Sequence, residues 1–410
     1  MNDNIKTYLK HLGLFILTFL TATLAGTWWV NQRVWPFTEY GVSDFVIGMQ
    51  YSIPFLLILT VHEFGHYFMA KYHKIKTTLP FYIPIPPFPM SIGTMGAIIK
   101  IKQHIISKKI HFDIGIAGPL AGFVIALGVL IYGYATLPEL DYLFEIHPSY
   151  AQYGDDYAEH VYTPEFQQIE AERLYNEARV QDSLKAVENG EIDEWSFPPF
   201  QQLGNLSIGK PLLMQFMETF VSDKKLIPNA SEIMHYPLLM AGFLALLVTA
   251  LNLMPIGQLD GGHVLYGLIG TYWHRRVASA IFVGFVFYAG LGIVSPDDSG
   301  PKIFDSIWLA RITYLLYLNF IFKGLKLDST KTLLISMIVF SIQYITPLFF
   351  GIVEGYSGWL LFALLIGRFI GVYHPPVPIE EPLDLNRKIL GWLSLLIFII
   401  SFSPAPIVIN

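Results

Sequence analysis

Two short motifs in this 410-residue chain carry side chains able to hold and use a metal ion. The first is His62-Glu63-Phe64-Gly65-His66. Histidines at i and i+4 lie on one face of a helix, close enough to share one Zn2+. The glutamate beside the first histidine can reach a water at that ion and act as general base. A site of this kind needs a third protein ligand and one open position. The second motif supplies a carboxylate: Asn252-Leu-Met-Pro255-Ile-Gly257-Gln-Leu259-Asp260-Gly261-Gly262-His263. Two neutral imidazoles and one carboxylate leave a divalent ion with a single net positive charge. The metal would thus compensate a buried Asp260 that is otherwise unpaired. There is no cysteine. That excludes disulfides, thiolate nucleophiles, iron–sulfur clusters and Cys-ligated zinc, so any metal must be held by His, Asp or Glu.

The elements that must position these residues are apolar. Hydrophobic residues make up 53% of the chain and charged residues 14%, with a mean hydropathy of +0.48. Soluble domains carry about 25% charge. The apolar residues come in runs long enough to cross a bilayer at 1.5 Å per residue. This is the composition of a polytopic membrane protein. It excludes a soluble enzyme and a disordered chain, and the lack of a dense basic patch excludes a nucleic-acid binder. About nine spans are expected, near 11–30, 44–71, 112–136, 236–256, 277–295, 303–322, 332–352, 357–373 and 389–408, the sixth interrupted by Asp305 and Arg311. The first span follows Lys6 and Lys10. Its length, without a clear A-x-A site, favours a span over a signal peptide. His62-Glu63-Phe64-Gly65-His66 falls inside the second span. An ionisable group there costs about 2.5–3.5 kcal/mol on insertion scales and usually marks a function; the other reading is polar residues packed in a helix bundle.

Charge sets the topology. Residues 71–110 hold seven lysines and no acid, which places them on the cytoplasmic side. Residues 137–195 carry fifteen acids against three bases, a local charge of −12, while the rest of the chain is +6. This acidic segment lies across the membrane. Arg275 and Arg276 return to the cytoplasm, as do Lys323, Lys326 and Lys331. His62 then lies about nine residues, roughly 14 Å, from the cytoplasmic end of its helix. Asp260 lies near the cytoplasmic end of its own span, so both ligand sets fall in the same half of the membrane. The expected organisation is an N-terminal helix and loop (1–43), a core in two parts (44–136 and 236–295), an acidic extracytoplasmic insertion (137–235) and C-terminal helices (296–410). The middle of the insertion, around 165–188, reads as a charged helix. It is a solvated cap or, in the other reading, a gate or substrate filter. The N-x-S sequons at Asn205 and Asn229 read as chance.

The two motifs together resemble the site-2 protease family of intramembrane zinc metalloproteases. Gly115-Ile-Ala-Gly118-Pro119-Leu-Ala-Gly122 is similar to that family's G-P-x-x-G segment. The resemblance covers about 44–136 and 236–295. It implies His62, His66 and Asp260 as zinc ligands, Glu63 as catalytic base, and a transmembrane protein segment as substrate. It also implies that Asn252 holds the substrate near the metal. Physically, the Asn252 amide could donate to a developing oxyanion or satisfy carbonyls freed by Pro255. The insertion lacks the Gly-rich loop of a PDZ domain, which some relatives carry there.

Gly118 and Gly122 form a small-xxx-small face, suited to close helix packing. Residues 79–89 are too proline-rich for a helix. Ile92–Lys102 reads as a hairpin-like strand pair. A peptide bond inside a helix is shielded, so a transmembrane substrate must unwind before attack. An exposed strand edge, at Gly93, Thr94, Met95 and Gly96, could hold it extended; the alternative is a membrane-dipping plug. His73, His104 and His111 read as interfacial, His263 as a support to Asp260, and His374 as part of a helix stop.

The expected fold is an all-α polytopic membrane bundle with a small membrane-associated β element and a helical acidic insertion. The expected activity is zinc-dependent hydrolysis of peptide bonds in or near transmembrane segments. Its partners would be the lipid bilayer and a membrane-protein substrate, not nucleic acid. The absence of targeting signals suits a bacterial inner membrane. Two rivals stand: a zinc-containing chaperone or scaffold without hydrolysis, and a transporter, which calls for an inverted repeat not found here.

Overall fold

The computed structural model describes residues 3–33, 40–189, 206–296, 306–351 and 353–409. In chain order, the helices and strands are α1 (Asp3–Asn31), α2 (Val42–Tyr72), β1 (Phe81–Pro84), β2 (Thr94–Ile98), α3 (Lys108–Ala135), α4 (Leu140–Ile146), α5 (Tyr157–Val161) and α6 (Pro164–Asn189). There follow β3 (Leu206–Ile208), α7 (Leu212–Glu218), α8 (Pro237–Leu253), α9 (Asp260–Ala289), α10 (Ile307–Phe322), α11 (Ser329–Phe350), α12 (Trp359–Leu365), α13 (Leu385–Ser401) and β4 (Ile407–Ile409).

Helices fall on every expected span. Among the described residues four are long and apolar enough to cross a membrane: Ile5–Asn31, Val42–Tyr72, Lys108–Ala135 and Ser329–Phe350. The expected count of nine is therefore not reached. Backbone breaks account for the shorter helices. α8 stops at Leu253 ahead of Pro255, and α12 runs on as a π turn only to Ile370. α13 stops at Ser401, where Pro404 and Pro406 cannot continue a helix and the chain turns into β4. The span expected at 277–295 is the second half of α9, which starts at Asp260 and kinks at Gly270, where φ is 73°. Asp305, Asn205, Glu191, Asp193 and Glu194 lie outside the described residues.

The core lies between α1, α2, α3 and α8, where Trp29, Tyr51, Leu130 and Phe243 are fully buried. A second apolar cluster joins α9, α10 and α12 around Phe282, Leu318 and Ile366. The expected β element exists, but its pairing differs from the expectation. β2 pairs antiparallel with β1, in the proline-rich segment, rather than folding back within 92–102. Pro84 is tolerated because the register is interrupted between Tyr82 and Pro84. A second two-stranded sheet, β3 with β4, ties the C-terminus to the acidic insertion. The helix expected near 165–188 is present as α6, largely exposed, with Arg173 bridging Glu170 and Glu177.

The C-terminal helices do not stand apart from the core. Arg387, at the start of α13, donates to both carboxylate oxygens of Asp113 in α3 at 2.7 Å. His73 reaches the same carboxylate at 2.8 Å. Asp113 is 10% exposed and Arg387 33%. Arg387→Leu leaves a buried carboxylate short of its main partner and should cost about 3 kcal/mol, the low end of the range because the arginine is part-exposed. Thermal unfolding in detergent should show the loss, and Asp113→Leu in the same chain should recover part of it.

Candidate metal centre

Each expected ligand comes from a different turn of structure, and the fold brings them together. His62 and His66 lie one helical turn apart on the buried face of α2, and Asp260 sits in the first turn of α9. The expectation that Asp260 ends its own span needs correction: α8 ends before it, and Met254–Leu259 form a non-helical loop. At the N-terminus of α9 the carboxylate sits at the positive end of the helix dipole.

His62 Nε2 and His66 Nε2 are 3.1 Å apart. Asp260 Oδ2 is 3.6 Å from the first and 3.2 Å from the second. A tetrahedral zinc with ligand bonds of about 2.0–2.1 Å puts neighbouring ligand atoms roughly 3.3–3.4 Å apart. The triangle therefore has the size of one face of such a site. His66 Nδ1 lies 2.7 Å from the Ile114 carbonyl. A carbonyl only accepts, so Nδ1 carries the proton and Nε2 turns a lone pair toward His62 and Asp260. Two imidazole nitrogens and a carboxylate oxygen thus converge, and this donor set suits zinc.

Glu63 Oε1 is 4.0 Å from His62 Nε2, and Glu63 is 6% exposed. It lies against the backbone of Ile99, just after β2. Asn252 comes to the same place, with its side-chain nitrogen 3.3 Å from His62 Nε2. These side chains line a cavity of about 330 Å³ whose far wall includes Ala97, Ile98 and Ile99.

Gly93, Thr94, Met95 and Gly96 are not part of that lining. Gly93 accepts a hydrogen bond from Thr21 in α1 and packs on Ala22. Thr94 is fully buried and donates to Ile83 in β1. Met95 is exposed. The end of β2 that reaches the cavity is the later one, because Thr94 is committed to holding the two strands together.

The glycines of α3 explain how the site is assembled. A Cβ at Gly118 would overlap the His66 ring, and one at Gly122 would press on His62 at 3.0 Å. Gly65 faces Ala117 and Gly118 from the other side. The small residues let α3 lie directly on the histidine face of α2. The loop before Asp260 is held from the C-terminal half. Gly257, with φ 61°, donates to the Val372 carbonyl at 3.0 Å, and Gln258 donates to the Ile370 carbonyl at 3.1 Å.

One grouping was not legible in the sequence. His111, His263 and His374 cluster beside the cavity, with His263 Nδ1 2.8 Å from His374 Nε2 and Tyr266 stacked on His374. His111 is thus no mere surface residue and His374 no mere helix stop. Single histidines at such separations have no spacing signal.

The comparisons with known proteins agree with this geometry. Probable zinc metalloprotease EGY1, chloroplastic, of Oryza sativa subsp. japonica is 27% identical over 72% of this chain and 43% of its own length. The Arabidopsis thaliana protein of that name is 25% identical over 56% of the chain and 31% of its own length. Probable zinc metalloprotease EGY2, chloroplastic, of Arabidopsis thaliana is 23% identical over 61% and 33%. The chain thus spans less than half the length of these curated relatives. Their chloroplast location gives no support to the expected bacterial inner membrane. No solved structure gives a significant match. The model of Peptidase family M50 matches residues 50–295, more than half of the chain and all of the residues that form the centre. The chain belongs to Peptidase family M50, the site-2 protease family of zinc metalloproteases.

Proposed function

We propose that this chain is a zinc-dependent intramembrane endopeptidase that hydrolyses peptide bonds in or near transmembrane segments of other proteins. The observation that carries the reading is the convergence of His62, His66 and Asp260 at zinc-ligand spacing, with Glu63 beside them on a shared cavity. The relatives named as zinc metalloproteases support it. The catalytic core is 44–136 with 236–295, and the insertion 137–235 is a cap on the opposite, acidic side of the membrane.

His62, His66 and Asp260 hold the metal. Zinc, when bound, supplies a Lewis acid that polarises the scissile carbonyl and makes water acidic enough to attack near neutral pH. Glu63 takes the proton of the attacking water and delivers it to the leaving amine. Asn252 donates its amide to the oxygen on which negative charge develops. A substrate helix must open first, since its own turns shield the scissile bond. The opened strand pairs with the backbone at Ala97–Ile99, a reading supported by the position of these residues in the cavity lining. This replaces Gly93–Gly96 as the proposed contact.

Metal removal tests the reading. The purified protein in detergent, given a model transmembrane peptide, should lose activity on treatment with a chelator and regain it when Zn2+ is restored. Cleavage that persists after the zinc has been stripped, verified by metal analysis, would exclude the zinc-dependent mechanism.

A further inference from the structure

A second triangle of the same kind stands at the base of the insertion. His147, just after α4, meets Glu232 and His235, which lie in the turns before α8. His147 Nε2 is 3.2 Å from His235 Nε2 and 3.3 Å from Glu232 Oε2. His235 Nε2 is 3.6 Å from the same oxygen. These three edges match those of the first centre within about 0.1 Å, and they again have the size of one face of a tetrahedral zinc site.

The supports match as well. His235 Nδ1 donates to the Val30 carbonyl at the end of α1, at 2.5 Å, so its Nε2 faces the group with a lone pair. The other oxygen of Glu232 accepts from the hydroxyls of Tyr162 at 3.0 Å and Tyr150 at 3.3 Å. Glu232 and His235 are 2% and 1% exposed, and the His147 side chain is 26% exposed, which leaves one approach from outside. Two imidazole nitrogens and one carboxylate oxygen thus lie within 3.6 Å of one another.

We propose that His147, Glu232 and His235 form a second zinc site that fastens the insertion to the membrane core. His147 lies at the start of the insertion, Glu232 and His235 lie at its end where the chain enters α8, and the His235 ring is anchored on α1. An ion held by all three ties the base of the cap to the helix that carries Asn252. The inference does not rest on the peptidase reading, because it uses none of the residues of the first centre.

The test is zinc content of the full chain, purified in detergent, loaded with Zn2+ and desalted. Wild type should retain two zinc ions per chain. The double variant His62→Ala, His66→Ala should retain one, and adding His147→Ala to it should leave none. Glu232→Gln, which preserves volume and can still meet the tyrosine hydroxyls, should weaken that ion without unfolding the cap. Zn2+ should also raise the thermal midpoint of the double variant, and His147→Ala should cancel that rise. A double variant that holds no zinc, or a second ion that survives His147→Ala and Glu232→Gln but leaves with His374→Ala, would overturn the proposal. Loss of peptidase activity with both ions retained would count against the first reading and leave this one standing.

Discussion

Glu63→Gln should reduce peptide hydrolysis by about 10²–10⁴-fold, the usual contribution of a positioned general base, while zinc content stays at the wild-type value. The substitution keeps the size of the side chain, so the cavity and the packing against Ile99 persist. What it removes is the group that accepts the water proton beside His62. The split between lost turnover and kept zinc is what separates a base from a ligand. His66→Ala should instead lose turnover and the zinc of this centre, because His66 supplies one edge to each of its two partners. Turnover of a transmembrane peptide and metal analysis on the same preparations check the pair. Full activity in Glu63→Gln would remove the glutamate from the chemistry.

Gly118→Val should be nearly as damaging, although Gly118 bears no functional group. A Cβ there would lie 2.1 Å from His66 Nε2, and the branch of valine makes the overlap worse. Either α3 moves away from α2 or the imidazole leaves its bond to Ile114. A displacement of about 1 Å at a catalytic centre costs on the order of 10²-fold in rate. Zinc affinity should fall as well, since the Ile114 bond fixes the ring that presents Nε2. Gly128→Val is the control: it lies ten residues further along the same helix, with open space around its Cβ position, and should leave activity and zinc unchanged. Equal activity in the two variants would show that the close approach of α3 does not matter.

The convergence of the candidate site was largely legible because its parts are local. The i, i+4 spacing of His62 and His66 specifies one helix face, and a carboxylate among Pro255, Gly257 and Gly261 announces an irregular segment near it. The Gly118–Gly122 face announces close packing, and the structure adds that it packs on the histidines themselves. Whatever depends on distant pairing was not legible. β2 takes its partner from the proline-rich segment, because the irregular register at Pro84 accommodates what a regular strand would not. The loop before Asp260 is held by backbone at Ile370 and Val372, more than a hundred residues away, and backbone contacts leave no mark on composition. His111, His263 and His374, and likewise His147, Glu232 and His235, come together only through the tertiary fold. Four of the expected spans are long, apolar helices among the described residues, and breaks at Pro255, Gly371 and Pro404 shorten the helices on three others.

The central claim is hydrolysis inside membranes, and mapping new peptide termini tests it most directly. Membranes from cells carrying wild type or Glu63→Gln, at matched expression, would be compared quantitatively. Termini within apolar segments should be present with wild type and vanish with the variant, and the proteins that bear them are the substrates. An identical set of termini in both, with zinc bound in both, would contradict the peptidase account and favour a zinc-containing scaffold.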